Sequence, residues 1–148
     1  MAEINKEITI DASIDKIFAY VNKPTNLPEI WPSLIQITDE KLLPNGGYSF
    51  GWSYKMSGVI LKGTGECTDI TSNQWLIVKT KGAIESTITF TFRLKEKQTR
   101  VTFTIEYGTP LPILNRLGSK IVEKMNEQEA DLILANLRAM FMNSTESI

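Results

Sequence analysis

The last third of the chain constrains its fold more than any other segment. No proline follows Pro112, and apolar side chains recur at helical spacing from Ile113 to Asn143, which predicts one long amphipathic helix. Most of the preceding sequence shows the period-two alternation of strands. Because the helix must bury its apolar stripe and the sheet is the one surface available, the sequence predicts an α+β fold with the helix lying on a sheet.

The segment before the long helix predicts one strand, two short helices and six further strands. Isoleucines of equal parity indicate a first strand that ends near Ile10, Asp11–Ser13 offers capping oxygens, and a short helix is expected at 14–21. The proline-rich stretch Pro24–Pro32 leaves room for one or two helical turns. The six strands are expected near residues 33–43, 48–56, 59–70, 75–81, 84–95 and 100–108. Short turns between them imply antiparallel neighbours, so the expected sheet has seven antiparallel strands.

The last hairpin allows a prediction of register. A two-residue turn at 97–98 places Phe92 opposite Phe103 and Phe90 opposite Ile105, all on one face of the sheet, while threonines occupy the other face. A shift by an even number of residues keeps this division, and an odd shift would bury the threonines. The apolar face is therefore predicted to face the core.

Composition limits the class of protein. The chain has 148 residues, 42% of them hydrophobic, so we expect residues 1–148 to form a single domain that needs no disulfide or metal. The formal net charge is −1 without blocks of like charge, which argues against nucleic acid as a partner. The apolar runs are too short for an integral membrane segment. The sequence leaves the oligomeric state open.

The rare residue types narrow the chemistry and the compartment. Cys67 is the only cysteine, and the N-terminus lacks the basic and apolar segments of a secretory signal, so we expect a cytoplasmic protein. The sequence has no histidine, which excludes Ser-His-Asp and Cys-His nucleophilic sites and every His-ligated metal centre. We therefore expect no metal site, no cofactor and no dedicated catalytic residue.

A family resemblance extends over essentially the whole chain. It rests on the segments Ile8–Ile10, Ala12–Ile14, Ile17–Phe18, Asn26–Pro28 and Trp31–Pro32. These segments, in this order of elements, resemble the START-like, polyketide cyclase/dehydrase group of proteins, also called SRPBCC proteins. The resemblance implies the helix-grip fold, in which a curved sheet and the C-terminal helix enclose an apolar cavity. In relatives the cavity holds lipids, polyketides or other lipophilic molecules, and some relatives catalyse cyclisation while many only bind or carry.

One strand carries a ladder of large side chains on a single face. Tyr48, Phe50, Trp52, Tyr54 and Met56 occupy alternate positions, so all five point to the same side of the sheet. This pattern is equally typical of ordinary core packing and of a ligand cavity in which Trp52 and Tyr54 orient the ligand with their polar tips. The strand residues that we predict to bind ligand are Phe50, Trp52, Tyr54, Met56, Phe90 and Tyr107.

Asp39 is a further candidate whose position depends on one turn. If Asn45–Gly46 forms a two-residue turn, Asp39 lies on the ladder's face near Trp52 and Tyr54. A turn longer by one residue moves its carboxylate to the outside.

The long helix adds four candidates for ligand binding. At about 100° per residue, one line along the helix contains apolar and polar side chains together. The candidates on or beside this line are Ile121, Met125, Gln128 and Glu129, with Leu132 and Asn136 further along. Polar groups in a buried stripe need partners, so they indicate water or a polar ligand group, or else a helix end that overhangs the sheet. Gly118 either permits close approach to the sheet or marks a kink.

Three hypotheses about function follow. The first is binding or carriage of a small lipophilic molecule in the cavity. The second, which the resemblance suggests, is a cyclase or dehydrase that uses Tyr54, Tyr107, Asp39 or Glu129 as acid or base. The third is an interaction module that acts through its surface, for which a solid core and an exposed apolar patch would be the evidence.

Overall fold

The fold consists of a seven-stranded antiparallel sheet that curves around a long C-terminal helix. The structure is a computed structural model, which describes the backbone of residues 2–146 and the side chains of residues 2–142. The predicted bounds 1–148 thus include Met1, Ser147 and Ile148, which lie outside the described residues. The strands are β1 (Ala2–Ile10), β2 (Leu34–Leu42), β3 (Tyr48–Met56), β4 (Val59–Thr71), β5 (Trp75–Gly82), β6 (Ser86–Lys95) and β7 (Gln98–Tyr107).

The helices cover one face of this sheet. They are α1 (Ile14–Val21), a short 3₁₀ helix (Pro24–Glu29), α2 (Leu111–Leu117) and α3 (Ser119–Glu146). The strand order is β1-β7-β6-β5-β4-β3-β2, with every neighbouring pair antiparallel. This arrangement confirms the predicted α+β helix-grip fold. No helix within residues 2–146 has both the length and the apolar character needed to cross a membrane.

The predicted continuous helix is divided in two at Gly118, so the kink is the correct interpretation of this glycine. Gly118 has φ 85° and ψ 155°, and its N–H donates to the Leu114 carbonyl at 2.8 Å, which ends α2. A positive φ is costly for residues with a Cβ and costs glycine little, so the chain changes direction here. The helix that lies on the sheet is therefore α3 alone.

The register of the last hairpin differs from the prediction by two residues. The turn lies at Glu96–Lys97, with Glu96 at φ 58°, and Phe90 pairs with Phe103 instead of Ile105. Thr99 has the same parity as Val101 and Phe103, so its side chain lies on the inward face in either register. It is fully buried, and its hydroxyl donates to the Ala12 carbonyl at 2.8 Å. Because the shift is even, the predicted division of faces is unaffected.

Aromatic contacts connect the sheet to the helical layer. Phe18 of α1 packs edge-on against Phe92 with ring centres 5.3 Å apart, and Trp31 packs edge-on against Phe103 at 5.6 Å. The 3₁₀ helix and the residues after it thus close one side of the space between sheet and α3. The enclosed space is thus bounded by the sheet, by α3 and by the segment that contains the 3₁₀ helix and Trp31.

Candidate functional site

A cavity of about 100 Å³ lies between the inner face of the sheet and α3. Its wall includes side chains from β1 and every strand from β2 to β7 except β4, together with residues of the 3₁₀ segment and α3. Most of these side chains are aliphatic or aromatic. At about 24 cal/mol for each Å³, a cavity of this size costs roughly 2 kcal/mol when nothing fills it.

The aromatic ladder of β3 lines this cavity. Tyr48, Phe50, Trp52 and Met56 are buried, Tyr54 is partly buried, and all five contribute to the wall. Glycines on β4 make room for two of the rings, since Gly63 pairs with Trp52 and Gly65 pairs with Phe50. A Cβ added to Gly65 would lie 2.6 Å from the Phe50 ring, so this glycine determines where the ring can lie.

Seven of the predicted ligand-binding residues lie on the cavity wall. They are Phe50, Trp52, Tyr54, Met56, Phe90, Tyr107 and Glu129. The placement brings together three strands and α3, which are far apart in sequence.

The expectation that Asp39 faces the cavity is wrong. Leu42 pairs with Tyr48, so the loop between β2 and β3 spans residues 43–47 and is longer than the predicted turn. In addition, the pairing of β2 is irregular between Thr38 and Lys41, and Asp39 has φ 52°. These two departures place Asp39 on the exposed side of the sheet and leave Ile37 opposite Trp52.

The predicted helix face is also wrong for three candidates. Ile121 is 54% exposed, Gln128 is exposed, and Met125 is partly buried but does not line the cavity. The side chains of α3 that do line it are Asn126, Glu129, Ala130 and Ile133. The two lines lie about 100° apart on the helix and both carry apolar residues, so periodicity alone could not separate them.

Glu129 and Asn136 are partnered by the backbone beneath α3. The Glu129 carboxylate accepts a hydrogen bond from the Ser33 N–H at 2.8 Å, and the Asn136 side-chain amide donates to the Ile30 carbonyl at 3.0 Å. These two bonds flank Trp31, which is buried and lines the cavity. Neither bulk water nor an overhanging helix end explains these polar residues, because they attach the segment 30–33 to α3.

One end of the cavity is distinctly polar. Register places Thr80, Ser86 and Tyr107 in one row across β5, β6 and β7, and Asn126 and Glu129 of α3 line the same cavity. The Ser86 and Thr80 hydroxyl groups are 2.6 Å apart, and Thr80 also donates to the Ile84 carbonyl at 3.1 Å. We call the group Trp31, Tyr54, Thr80, Ser86, Tyr107, Asn126 and Glu129 the polar end.

Tyr54 remains protonated over the physiological range. Burial raises the pKa of its hydroxyl to about 12, the nearby Glu129 carboxylate adds to this rise, and the side chains of Trp31 and Ser33 act against it. A neutral phenol can donate a hydrogen bond to a ligand or accept one. The pKa thus makes Tyr54 a poor base and a suitable donor.

Three polar atoms of the polar end are buried without a hydrogen-bond partner among the described residues. They are the Trp31 indole nitrogen, the Tyr107 hydroxyl and the Asn126 amide nitrogen. The sequence interpretation missed Trp31 and Asn126 as site residues. The Leu-Pro…Trp-Pro segment was a signal for Trp31, whereas Asn126 lies one residue from the predicted helix line and no pattern distinguishes it.

A second, more open pocket of about 300 Å³ adjoins the polar end. Tyr107, Gly108 and Thr109 line both spaces, and Val122 and Glu123 of α3 form the far wall of the outer one. Pro110 also lines the inner cavity, so the connection from β7 to α2 lies between the inner cavity and the surface. Among the described residues, no group of three or more His, Cys, Asp or Glu side chains is arranged to hold a metal ion.

Comparison with known proteins places the chain in a family. It matches the family described as polyketide cyclase/dehydrase and lipid transport over residues 1–141, and it belongs to that family. No curated protein sequence matches the chain.

Solved structures share the fold at low sequence identity. A protein from Thermus thermophilus has a TM-score of 0.83 at 16% identity, covering 97% of this chain and 99% of its own. The Zhui aromatase/cyclase from Streptomyces sp. R1128 has a TM-score of 0.80 at 11% identity, with 99% and 96% covered. A START superfamily protein from Mycobacterium smegmatis has a TM-score of 0.75 at 13% identity, with 95% and 97% covered. The chain is therefore similar to both cyclases and START proteins in fold.

Proposed function

We propose that the protein binds or carries a small lipophilic molecule in the cavity between the sheet and α3. The observation that carries this proposal is the cavity itself, about 100 Å³ and walled mainly by apolar and aromatic side chains. A void that costs roughly 2 kcal/mol is a sizeable fraction of a typical domain stability of about 5–15 kcal/mol. A ligand that fills the cavity offsets this cost and stabilises the folded state.

The size of the cavity suits a compact ligand. An engineered cavity of about 150 Å³ lined by apolar side chains binds benzene. A cavity of about 100 Å³ is about two thirds of that volume, so a molecule built on one ring requires outward movement of side chains at the polar end, toward the outer pocket. The walls favour apolar contact over most of the ligand surface.

A pair of alanines on α3 provides the test. Ala130 is buried on the cavity wall, and Ala135 is exposed on the same helix. Ala130→Leu puts three carbons into the cavity, and we expect it to weaken binding of one-ring and two-ring lipophilic compounds at least tenfold. Ala135→Leu should bind like the wild type. Binding is measured by thermal shift and by native mass spectrometry, and the protein as purified is inspected for co-purifying molecules.

Two results would contradict the proposal. One is equal binding by wild type and Ala130→Leu, which would place the ligand elsewhere on the protein. The other is no binding across the whole series together with no co-purifying molecule. The presence of the cavity also argues against the interaction-module hypothesis, for which a solid core was the expected evidence.

A second candidate function is cyclisation or dehydration of a β-ketone chain. It is favoured by the convergence of Tyr54, Tyr107 and Glu129 on one end of the cavity, and by fold similarity to an aromatase/cyclase. Asp39 is no longer a candidate acid or base, because it lies outside. A neutral Tyr54 would act as hydrogen-bond donor to a ketone or its enolate. If the triple variant Tyr54→Phe, Tyr107→Phe, Glu129→Gln turned over a poly-β-ketone as fast as wild type, this mechanism would be excluded.

A further inference from the structure

The polar end contains buried hydrogen-bond donors that have no acceptor among the described residues. The Trp31 indole N–H and the Asn126 amide N–H₂ can only donate, the Tyr107 hydroxyl can donate, and all three lack a partner among the described residues. Trp31 and Tyr107 are more than nine-tenths buried, with 8% and 6% exposure. Buried donors without acceptors are unfavourable for folding, so their retention indicates a bound group that accepts hydrogen bonds.

The acceptors at the polar end are engaged in part. One oxygen of the Glu129 carboxylate accepts from the Ser33 N–H, and Thr80 donates to the Ile84 carbonyl while it accepts from Ser86. The buried groups that have no partner among the described residues there all carry N–H or O–H donors. A ligand with an acceptor group meets three donors, which lie on the connection between the 3₁₀ helix and β2, on β7 and on α3.

The charge of the wall restricts the acceptor further. No Lys or Arg occurs among the described residues that line the cavity, and Glu129 is a carboxylate. Lys6 lies on β1 beside α3, but it pairs with Asp131 at 3.6 Å and is not part of the wall. A buried carboxylate ligand would thus lack a counter-charge and would lie near a like charge, which is strongly unfavourable.

We propose that the cavity selects an uncharged lipophilic molecule with one carbonyl-type acceptor, such as an aryl ketone, whose oxygen lies among Trp31, Tyr107 and Asn126. This inference rests on the proposed function and adds to it the chemical class of the ligand. The apolar body of the molecule then lies against Leu76, Phe90 and Ile133 toward the opposite end of the cavity. We therefore expect the protein to bind free fatty acids and aryl acids of the same shape more weakly than the neutral carbonyl compound.

The experiment compares three molecules of nearly equal size. Acetophenone has the neutral acceptor, benzoate has an anionic acceptor, and ethylbenzene has none. We expect acetophenone to bind about tenfold more tightly than either of the others, because only it satisfies the donors without burying a charge. The comparison is repeated with 2-acetylnaphthalene, 2-naphthoate and 2-ethylnaphthalene, so that the result does not depend on filling the cavity with a single ring.

Variants identify the donors. Tyr107→Phe and Asn126→Leu each remove one donor and should lower the preference for acetophenone over ethylbenzene about three- to tenfold. Tyr20→Phe is the matched control, because Tyr20 bonds Glu29 outside the cavity and its removal should leave the preference unchanged. In the wild type, the Trp31 indole N–H resonance, assigned with Trp31→Phe, should shift downfield with acetophenone and less with ethylbenzene. This readout holds even if a variant fails to fold.

The outcomes separate the inference from the proposed function. If ethylbenzene binds as tightly as acetophenone, the cavity binds lipophilic molecules but the acceptor inference is wrong. If benzoate binds most tightly, the inferred neutrality is wrong. If none of the six compounds binds and no other lipophilic compound does, the proposed function fails as well.

Discussion

The two ends of the cavity are built differently. At the end formed by Leu76, Phe90 and Phe103, side chains are almost fully buried and the rings of Phe90 and Phe103 meet edge-on at 5.2 Å. At the polar end, buried nitrogen and oxygen atoms of Trp31, Tyr107 and Asn126 have no partner among the described residues. The first end is what folding stability alone would produce, whereas the second costs stability. A region that departs from optimal folding in this way is where function is best sought.

The apolar end should show the largest effect on stability. Phe90 is 1% exposed and packs against Phe92 and Phe103, so Phe90→Ala should lower the free energy of unfolding by about 3–5 kcal/mol. Urea unfolding followed by fluorescence measures this. A loss below about 1 kcal/mol would show that the apolar end is not a packed core, and the contrast between the ends would disappear.

The hydrogen bond between Glu129 and the Ser33 N–H connects α3 to the segment that carries Trp31. Glu129→Ala leaves that N–H without its acceptor and should cost about 1.5–3 kcal/mol, since the bond involves a charged group. Glu127→Ala, at an exposed position on the same helix, should change stability by less than about 0.5 kcal/mol. Equal effects of the two variants in urea unfolding would show that Glu129 does not hold this end together.

High pH should weaken the fold through Tyr54. Burial raises the pKa of its hydroxyl to about 12 from the ordinary value of 10.0, so the unfolded chain loses this proton first. Between these values the unfolded state binds fewer protons than the folded state, and stability falls as pH rises from about 10 to about 12. Tyr54→Phe should reduce this fall by about 1 kcal/mol or more between pH values of about 9.5 and 11.

Chemical denaturation at several pH values measures the slope for wild type and Tyr54→Phe. Identical slopes would show that the Tyr54 hydroxyl is better hydrated than its burial implies. Other buried tyrosines contribute to both slopes alike, so the difference between the proteins is the quantity to compare.

Tyr107→Phe should have the smallest effect, and its sign is the informative part. Removing a buried hydroxyl that has no partner among the described residues should leave stability unchanged or raise it by up to about 1 kcal/mol in the absence of ligand. Thermal and urea unfolding of the purified variant measure this. Destabilisation by more than about 1 kcal/mol would mean that the hydroxyl has a structural role, and the polar end would then resemble the rest of the core.

The strands were predictable because their signal is local. Alternation in β3 and in the β6–β7 hairpin puts one set of side chains on each face, and this division survives a register error of two residues between Phe90 and its partner. Because the shift is even, Phe90 and Tyr107 still face the cavity. The burial of Thr99 was not foreseen because the predicted strand began at residue 100, whereas β7 begins at Gln98.

The helix face was not predictable to the same degree. The line through Ile121 and Met125 assumed one helix across Gly118, and α3 instead turns Asn126 and Ala130 inward. Both lines are apolar enough to be buried, so the choice between them depends on how the helix meets the sheet. The prediction that Asp39 faces the cavity was wrong for a related reason, since an irregularity in a strand changes the side of the sheet that a residue faces.

The order of elements, the inward face of most strands and the lack of histidine chemistry follow from the sequence alone, because they depend on neighbouring residues or on composition. The side of α3 that meets the sheet, and the polar groups that find partners, were settled only when the chain had folded. The bonds from Glu129 to Ser33 and from Asn136 to Ile30 join residues about a hundred positions apart, and no local pattern records them. Unused donors at Trp31, Tyr107 and Asn126 are likewise a property of the assembled cavity, since a donor is unpaired only with respect to everything packed around it.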